Sequence, residues 1–288
     1  MTSRTDLIDI ESLQSLLSAG QCRLIDCRHD LFDRDKGYAD YCAGHIPGAA
    51  FAHMDDDLAS EISARSGRHP LPDADAFVAS LRDWGINNDS FVVVYDAGNG
   101  SFASRLWWML KFWFGHDQVA VLDGGISAWT AENGALETGI ADIDPGTFSG
   151  SPNPAVVAST DEIATAVRSG HGLNLVDARD AGRFRGEVEP IDTVAGHVPG
   201  ARNLPLSVSL DSDGRWREAA ELERIWREFL ADGPDVPPVV MCGSGVTACH
   251  LILSAHLAGL PAPRLYVGSW SEWIRDENRP VATENQAE

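Results

Sequence analysis

The feature that most constrains the fold is an internal repeat. The segment "AGHIPGA" at residues 43–49 returns as "AGHVPGA" at residues 195–201, with a single Ile-to-Val exchange. The match continues on both sides, because "LIDCR" pairs with "LVDAR" upstream and "DGGISAW" pairs with "VGSWSEW" downstream. Matches that recur in the same order indicate a duplication. The chain is therefore expected to hold two related copies of about 130 residues each.

Short β-branched runs alternate with helical patterns in both copies. The first copy contains "CRLID", "FVVVYD" and "VAVLD", and the second contains "LNLVD", "PPVVMC" and "RLYVG". Continuous apolar strands separated by helices are typical of a parallel sheet covered on both faces. We predict two tandem α/β domains, each a mostly parallel sheet flanked by helices.

The boundary between the copies is expected in a segment rich in proline and glycine. Residues 137–154 read "ETGIADIDPGTFSGSPNP" and show no sustained periodicity, which is typical of a linker. We predict a first domain over residues 1–142, a linker over residues 143–154 and a second domain over residues 155–288.

Charge and cysteine content narrow the possible partners and the compartment. With 43 acidic against 22 basic side chains in 288 residues, a net charge of −21 argues against nucleic acid or an anionic membrane surface as the main partner. The five cysteines lack the spacing of a zinc site or the density of a disulfide scaffold, so reduced thiols are expected. No long apolar run or cleavage site is present. These features predict a soluble cytoplasmic protein.

A cysteine followed by a glycine turn is the strongest chemical signal. In "VVMCGSGVTACHLIL", residues 239–253, an apolar strand ends at Cys242 and a helical pattern resumes after the turn. Ligands of parallel α/β sheets bind where strand ends lead into helix N-termini. In the first copy, "VVVYDAGNGS" has Asp96 at the position of Cys242, and a carboxylate cannot act as a thiol. Thiol chemistry is therefore expected only in the second copy.

Five interpretations of this turn compete. The turn satisfies a dinucleotide-binding pattern, but the next strand, "RLYVG", ends without the acidic residue that would bind a ribose. A phosphatase loop would need an arginine where Ala248 stands. Cys242 could be only a small buried hydrophobe, or could form a redox pair with Cys249. The two glycines favour instead a loop whose N–H groups converge on a sulfur anion.

Several other repeated or clustered residues are expected to serve structure. His45 and His197 occur in both copies, including the copy without the thiol, so they should brace the turn before each proline. Asp26 and Asp177 also repeat and should anchor loop amides at strand ends. The aromatic segment 105–114, "RLWWMLKFWF", is expected to pack in the core or between domains.

Together, "CGSGVTAC", the doubled "GHIPGA" and "GHVPGA", "DARDAGRFRG" and "GSWSEW" resemble the two-domain rhodanese superfamily, over nearly the whole chain. Within it, the similarity is greatest to the sulfurtransferases that use 3-mercaptopyruvate. The resemblance implies a catalytic second domain and an inactive first domain. It implies that Cys242 is the nucleophile that becomes a persulfide, and that Arg183 binds the donor's anionic group. The loop residues implied to bind the substrate are Gly243, Gly245, Val246 and Thr247.

The same resemblance implies a proton relay. Ser244 in the loop, His69 in "SGRHPLP" and Asp55 in "HMDDDLAS" correspond to its members. The departing pyruvate enolate must be protonated, and a hydroxyl polarised by an oriented imidazole can do this. We list Cys242, Ser244, His69 and Asp55 as the candidate catalytic residues.

Loop composition bears on the choice of sulfur donor. Family members that prefer thiosulfate carry cationic side chains where this chain has Gly243 and Ser244, which favours mercaptopyruvate. Mercaptopyruvate enzymes, however, usually have a second donor-binding arginine in the region of Ile191 and Asp192; Arg185 could substitute for it. A thiosulfate sulfurtransferase and a non-catalytic rhodanese-like binding module remain the alternatives.

The resemblance also implies the other participants in the reaction. The donor is a small molecule, and the acceptor is cyanide, a small thiol or a thioredoxin-like protein. No metal and no organic cofactor are implied, and neither nucleic acid nor a membrane is expected as a partner.

Overall fold

The computed structural model describes residues 6–283. The start predicted for the first domain, at residue 1, and the end predicted for the second domain, at residue 288, therefore lie outside the described residues. The chain divides into two compact units. The first comprises residues up to Ser60, Leu71–Asn153 and Ser212–Trp216, and the second comprises Glu61–Pro70, Pro154–Asp211 and residues from Arg217 onward. Two segments, 61–70 and 212–216, therefore belong to a different unit from the chain on either side of them.

The first unit alternates strands and helices, as the sequence predicts. Its five strands are β1 (Leu7–Ile8), β2 (Arg23–Asp26), β3 (Ala49–Phe51), β4 (Val92–Tyr95) and β5 (Val119–Leu122). Its helices are α1 (Ile10–Ser18), α2 (Lys36–Ala43), α3 (Ala74–Asp83), α4 (Ala103–Trp108) and α5 (Gly125–Ala131), and a π-helical turn at Met109–Trp113 extends α4.

The second unit repeats this order. Its five strands are β6 (Val157–Ala158), β7 (Leu175–Asp177), β8 (Arg202–Asn203), β9 (Val239–Met241) and β10 (Arg264–Tyr266). Its helices are α6 (Thr160–Ser169), α7 (Ala181–Arg185), α8 (Ala219–Ala231), α9 (Ala248–Leu257) and α10 (Ser269–Trp273). Short 3-10 turns occupy Pro154–Val156 and Leu206–Ser209.

The two sheets have the same topology. The strand orders are β1-β5-β4-β2-β3 and β6-β10-β9-β7-β8, and neighbouring strands pair in parallel throughout both sheets. Asp26 pairs with Tyr95 in the first sheet, and Asp177 pairs with Met241 in the second. The next residues, Asp96 and Cys242, therefore follow the central strand at equivalent places. The prediction of two tandem α/β domains with one topology is confirmed.

Each unit has its own core built from the strands and the helices that cover them. The central strands β4 and β9 are buried at every position, as expected for parallel strands with helices on both faces. The aromatic segment after the first loop is mostly core, because Trp107, Trp108 and Leu110 are fully buried. It therefore contributes packing to the fold.

The repeated aspartates anchor loops in both units. In the first unit, Asp26 accepts hydrogen bonds from the backbone N–H of Arg28 (2.9 Å) and from its guanidinium, whose Nη2 also donates to the carbonyl of Gly44 (2.8 Å). In the second unit, Asp177 and Arg179 make the same contacts, and Arg179 reaches the carbonyl of Gly196 at 2.8 Å. The predicted anchoring role is confirmed.

The repeated histidines pack inside their own units. The Nδ1 atom of His45 lies 2.9 Å from the carbonyl oxygen of Tyr41, and its ring stacks on the Tyr41 ring. His197 makes the matching contact with the carbonyl of Phe184 at 2.8 Å and stacks on that ring. Both imidazoles hold the turn that precedes the repeated proline.

The proline- and glycine-rich segment after the first copy is bound to the first unit through residue 153. The N–H of Gly146 donates to the carbonyl of Arg82 (2.7 Å), and the N–H of Phe148 donates to the carbonyl of Ile86 (3.0 Å). Phe148 is 1% exposed, so this segment has an anchoring side chain that its composition does not reveal. Across residues 6–283, no helix is both long enough and apolar enough to cross a membrane.

Candidate active site

Cys242 lies directly after β9, at the carboxyl end of the central strand of the second unit. The residue is 1% exposed, and its Sγ accepts a hydrogen bond from the backbone N–H of Gly245 at 3.2 Å. Its own N–H donates to Ser269 Oγ (3.1 Å), and its carbonyl accepts from the N–H of Trp270 (3.0 Å). These bonds tie the cysteine to the start of α10 and fix the direction of its side chain.

The turn after Cys242 requires glycine. Gly245 adopts φ +79°, and a Cβ at this position would lie 2.3 Å from the carbonyl oxygen of Val267. Both facts exclude an ordinary side chain. Val246 is buried, and Thr247 precedes α9, which begins at Ala248. The backbone thereby curls so that the N–H of Gly245 points back at the sulfur.

Cys249 braces the same turn from α9. Its thiol donates to the carbonyl oxygen of Gly245 at 3.5 Å, and the residue is fully buried. This contact gives Cys249 a packing role beneath the loop.

Two of the predicted relay residues are in contact. His69 Nδ1 lies 2.8 Å from Ser244 Oγ, and both residues belong to the second unit because segment 61–70 is part of it. Their exposed fractions are only 6% and 5%, respectively, so little water competes for this hydrogen bond. The arrangement can pass a proton between an imidazole and a hydroxyl next to Cys242.

Asp55, the third predicted relay member, lies in the first unit. There its backbone N–H donates to His53 Nδ1 (3.2 Å), and its carboxylate lies 3.9 Å from Arg34 Nε. Its part in the relay stays a prediction.

Arg183 extends from α7 and is held by a buried carboxylate. Its Nε and Nη2 atoms donate to Glu189 at 3.1 and 2.7 Å, and Nη2 also donates to Asp192 at 3.2 Å. Burial alone would raise the pKa of Glu189, but hydrogen bonds from Arg183 and nearby N–H groups lower it overall. Burial raises the pKa of Asp192, despite the positive charges of Arg68 and Arg183. Arg183 is thus fixed by a bidentate pair, and its Nη1 makes no hydrogen bond to any residue from 6 to 283.

A second arginine that the sequence did not point to lies beside the loop. A Cβ built on Gly243 would be 2.9 Å from Arg68 Nη2 and 3.6 Å from Arg183 Nη2. The proposed substitute, Arg185, instead pairs with Glu187 through contacts of 2.8 Å. The one available signal for Arg68 was its place directly before His69 in "SGRHPLP".

The equivalent loop of the first unit is filled by its own carboxylate. Asp96 is 1% exposed, and its Oδ1 accepts from the N–H groups of Gly98 (2.9 Å) and Gly100 (3.0 Å). Its Oδ2 accepts from the N–H groups of Phe102 (2.9 Å) and Ala103 (3.2 Å). Four backbone N–H donors of this turn therefore converge on one carboxylate.

Known proteins support this picture. The model of the rhodanese-like domain matches the chain twice, over residues 9–132 and 159–276. A protein of Pseudomonas aeruginosa named "Probable 3-mercaptopyruvate sulfurtransferase" is 44% identical over 98% of this chain and 99% of its own length. A protein of Mycobacterium tuberculosis named "Putative thiosulfate sulfurtransferase SseB" is 38% identical over 96% of both chains.

Solved structures agree with the sequence relatives. The 3-mercaptopyruvate sulfurtransferase from Leishmania major superposes with a TM-score of 0.82 at 32% identity, covering 95% of this chain and 75% of that one. The expectation drawn from the repeated motifs is therefore confirmed. The chain belongs to the rhodanese family, with two tandem rhodanese-like domains, and is most similar to 3-mercaptopyruvate sulfurtransferases.

Proposed function

We propose that this protein is a sulfurtransferase that moves sulfur from 3-mercaptopyruvate, through a persulfide on Cys242, to a thiol or cyanide acceptor. The observation that carries the proposal is the hydrogen bond of 3.2 Å that the Cys242 sulfur accepts from the Gly245 N–H within a glycine turn. In this proposal the first domain, residues 1–142, is catalytically inactive because Asp96 stands at the position of the nucleophile, and residues 143–154 are the linker. Residues 155–288 form the catalytic domain, to which segment 61–70 of the second unit adds His69.

The first half-reaction begins with the Cys242 thiolate attacking the sulfur of the donor. A sulfur–sulfur bond forms and the carbon–sulfur bond breaks, so that pyruvate leaves as its enolate. The N–H groups of Gly243, Gly245, Val246 and Thr247 stabilise the anionic sulfur before and after transfer. Glycine at 245 is what allows this backbone shape.

The enolate needs a proton, and the loop residue Ser244 is proposed to supply it. Because the Ser244 hydroxyl contacts His69 Nδ1 at 2.8 Å, it can give a proton to the carbon and regain one from the imidazole. The outer sulfur gives up the donor thiol's proton, which restores the imidazole of His69, so that in net this proton ends on pyruvate and the persulfide remains anionic. Asp55 stays a predicted third member of the relay.

Arg183 is proposed to bind the carboxylate of the donor. A planar guanidinium matches a carboxylate with two parallel hydrogen bonds, and Glu189 fixes its orientation from behind. Arg185 is also within the proposed substrate-binding set. The position of Arg183 beside Gly243 supports its role in binding the donor.

The second half-reaction returns the enzyme to its starting state. An acceptor nucleophile, either cyanide, a small thiol or a thioredoxin-like protein, attacks the outer sulfur and releases the Cys242 thiolate. A cytoplasmic location is part of the proposal, because none of the five cysteines, all of which lie within residues 6–283, forms a disulfide, and a reducing compartment keeps thiols in that state.

Comparison of two donors tests this proposal. We expect kcat/KM with 3-mercaptopyruvate to exceed the value with thiosulfate by tenfold or more, which is about 1.4 kcal/mol in transition-state binding. The reverse ratio would make the protein a thiosulfate sulfurtransferase, the activity named for the Mycobacterium relative. Absence of transfer from both donors would leave a rhodanese-like binding module.

A further inference from the structure

Arg68 emerges from a backbone segment that is fixed against α10 within the second unit. The N–H of Arg68 donates to Ser271 Oγ (3.0 Å), and the N–H of the preceding Gly67 donates to Glu272 Oε2 (3.3 Å). A Cβ on Gly67 would lie 2.5 Å from the carbonyl oxygen of Gly268, so the two backbones are in direct contact. The Arg68 side chain therefore starts from a defined point next to the loop.

The guanidinium of Arg68 is oriented by a carboxylate that it shares with Arg183. Arg68 Nη1 pairs with Asp192 Oδ1, and Arg183 Nη2 donates to Asp192 Oδ2 at 3.2 Å. The Asp192 side chain is 5% exposed and the Arg68 side chain 24%, so the carboxylate is shielded from water while the Arg68 guanidinium stays partly accessible. One buried carboxylate thus holds two guanidinium groups side by side.

Both guanidinium groups direct unused N–H groups toward Gly243. Arg68 Nη2 and Arg183 Nη1 lie 2.9 and 3.7 Å from the position of a Cβ on Gly243. Neither nitrogen has an acceptor within residues 6–283. Because glycine has no side chain, both guanidinium groups can approach the peptide next to Cys242, and we call the site formed by Arg68, Arg183 and the Gly243 peptide the anion recess.

We propose that Arg68 is a donor-binding residue that acts with Arg183 to hold the carboxylate of an α-keto acid next to Cys242. A recess with two guanidinium groups suits a planar anion with two oxygens. In this chain position 191 is isoleucine, and Asp192 instead pairs with Arg68. Arg185 pairs with Glu187. The identity of the donor rests on the proposed function, whereas the anion recess itself does not.

Two alkylating reagents of nearly equal size test the recess without any sulfur transfer. Iodoacetate carries a carboxylate and iodoacetamide is neutral, so the ratio of their rates at Cys242 reports local preference for a carboxylate. The rates are measured on the full-length protein by peptide mass spectrometry, which separates Cys242 from the other cysteines. Arg68→Ala and Arg68→Lys are compared with Arg65→Ala, which removes the same charge from an exposed site in the same segment.

We expect Arg68→Ala to lower the iodoacetate-to-iodoacetamide ratio about tenfold, with a smaller loss for Arg68→Lys and no change for Arg65→Ala. With 3-mercaptopyruvate, Arg68→Ala should raise KM about tenfold and change kcat little, because the carboxylate is bound equally in the ground and transition states. A purely structural role of Arg68 would not raise KM while leaving kcat nearly unchanged.

A ratio and a KM that both stay within twofold of wild type in Arg68→Ala would overturn the proposal. The proposal would also fail if Arg185→Ala lowered the ratio and raised KM while Arg68→Ala changed neither, since the second cation would then be Arg185. If the ratio depends on Arg68 but the wild type transfers no sulfur, the recess stands and the proposed function fails.

Discussion

His69 Nδ1 lies 2.8 Å from Ser244 Oγ, and both side chains are buried within the second unit beside Cys242. If this pair protonates the leaving enolate, Ser244→Ala should lower kcat with 3-mercaptopyruvate by about 10²-fold and change KM little. Steady-state kinetics measure the effect. His69→Gln should give a similar loss, and the double variant should be no worse than either single variant, because the two residues act as a unit.

The control for this experiment is Ser207→Ala, which removes a hydroxyl from an exposed position of the same unit. Its kcat should equal that of the wild type. A Ser244→Ala variant with undiminished kcat would remove Ser244 from the mechanism.

The turn at Gly245 should not tolerate a side chain. Gly245→Ala combines a φ of +79° with a Cβ 2.3 Å from the carbonyl oxygen of Val267, and that oxygen cannot move freely. Gly259→Ala is the matched control, because Gly259 has φ +72° and no atom within 4 Å of its Cβ position. The control should cost about 1–2 kcal/mol of unfolding free energy.

Gly245→Ala should cost clearly more than the control and should also abolish sulfur transfer, because the N–H that faces Cys242 would move. Urea denaturation and a transfer assay provide the two measurements. Equal stability losses in both variants would show that the close approach to Val267 is relieved at little cost.

Asp96 should stabilise the first unit without taking part in catalysis. Asp96→Asn keeps the shape but turns an amide N–H₂ toward two of the four N–H donors, and hydrogen bonds to a charged group contribute about 1.5–3 kcal/mol each. We expect a loss of about 2–4 kcal/mol in unfolding free energy. The exposed Asp89→Asn should change it by less than about 0.5 kcal/mol.

The Asp96→Asn variant should still take up one sulfur per chain, as measured by intact mass. If the stability is unchanged, the carboxylate is not what holds the loop. If the folded Asp96→Asn variant no longer takes up sulfur, the first domain takes part in catalysis.

His116 should make the first unit less stable in mild acid. Burial lowers the pKa of His116, whose Nε2 lies 2.9 Å from the carbonyl oxygen of Ser90. The unfolded chain binds a proton as the pH falls through about 6.5, while the folded state resists it. The contribution of His116 to stability is therefore complete above that pH and is lost below it.

Denaturation midpoints of the wild type and His116→Gln at pH 7.5 and pH 5.5 measure this effect. Glutamine places an N–H near Nε2 but does not titrate. The wild type should lose more stability than the variant between the two pH values. An equal loss in both proteins would mean that other groups account for the acid sensitivity.

The duplicated fold was predictable because the strands and repeats are local features of the sequence. The apolar runs "FVVVYD" and "PPVVMC" were expected to be buried parallel strands, and β4 and β9 are. The equivalence of Asp96 and Cys242 followed from the same alignment of copies. Neither inference required knowledge of which residues contact each other over long distances.

Arg68 and Asp192 were not predictable in the same way. They are separated by more than a hundred residues, and their ion pair depends on segment 61–70 joining the second unit. The sequence placed Arg185 nearer to the expected position, but its carboxylate partner Glu187 lies only two residues away. Phe148 was also missed, because a single anchoring side chain does not alter the composition of a linker-like segment.

The most direct test of the account is the intact mass of the protein after incubation with 3-mercaptopyruvate and removal of excess donor. We predict that the wild type and Cys22→Ser each gain the mass of one sulfur atom, that Cys242→Ser gains none, and that added cyanide removes the sulfur. A wild type that gains no sulfur, or a Cys242→Ser variant that still gains one, would contradict the central claim that Cys242 carries the transferred sulfur.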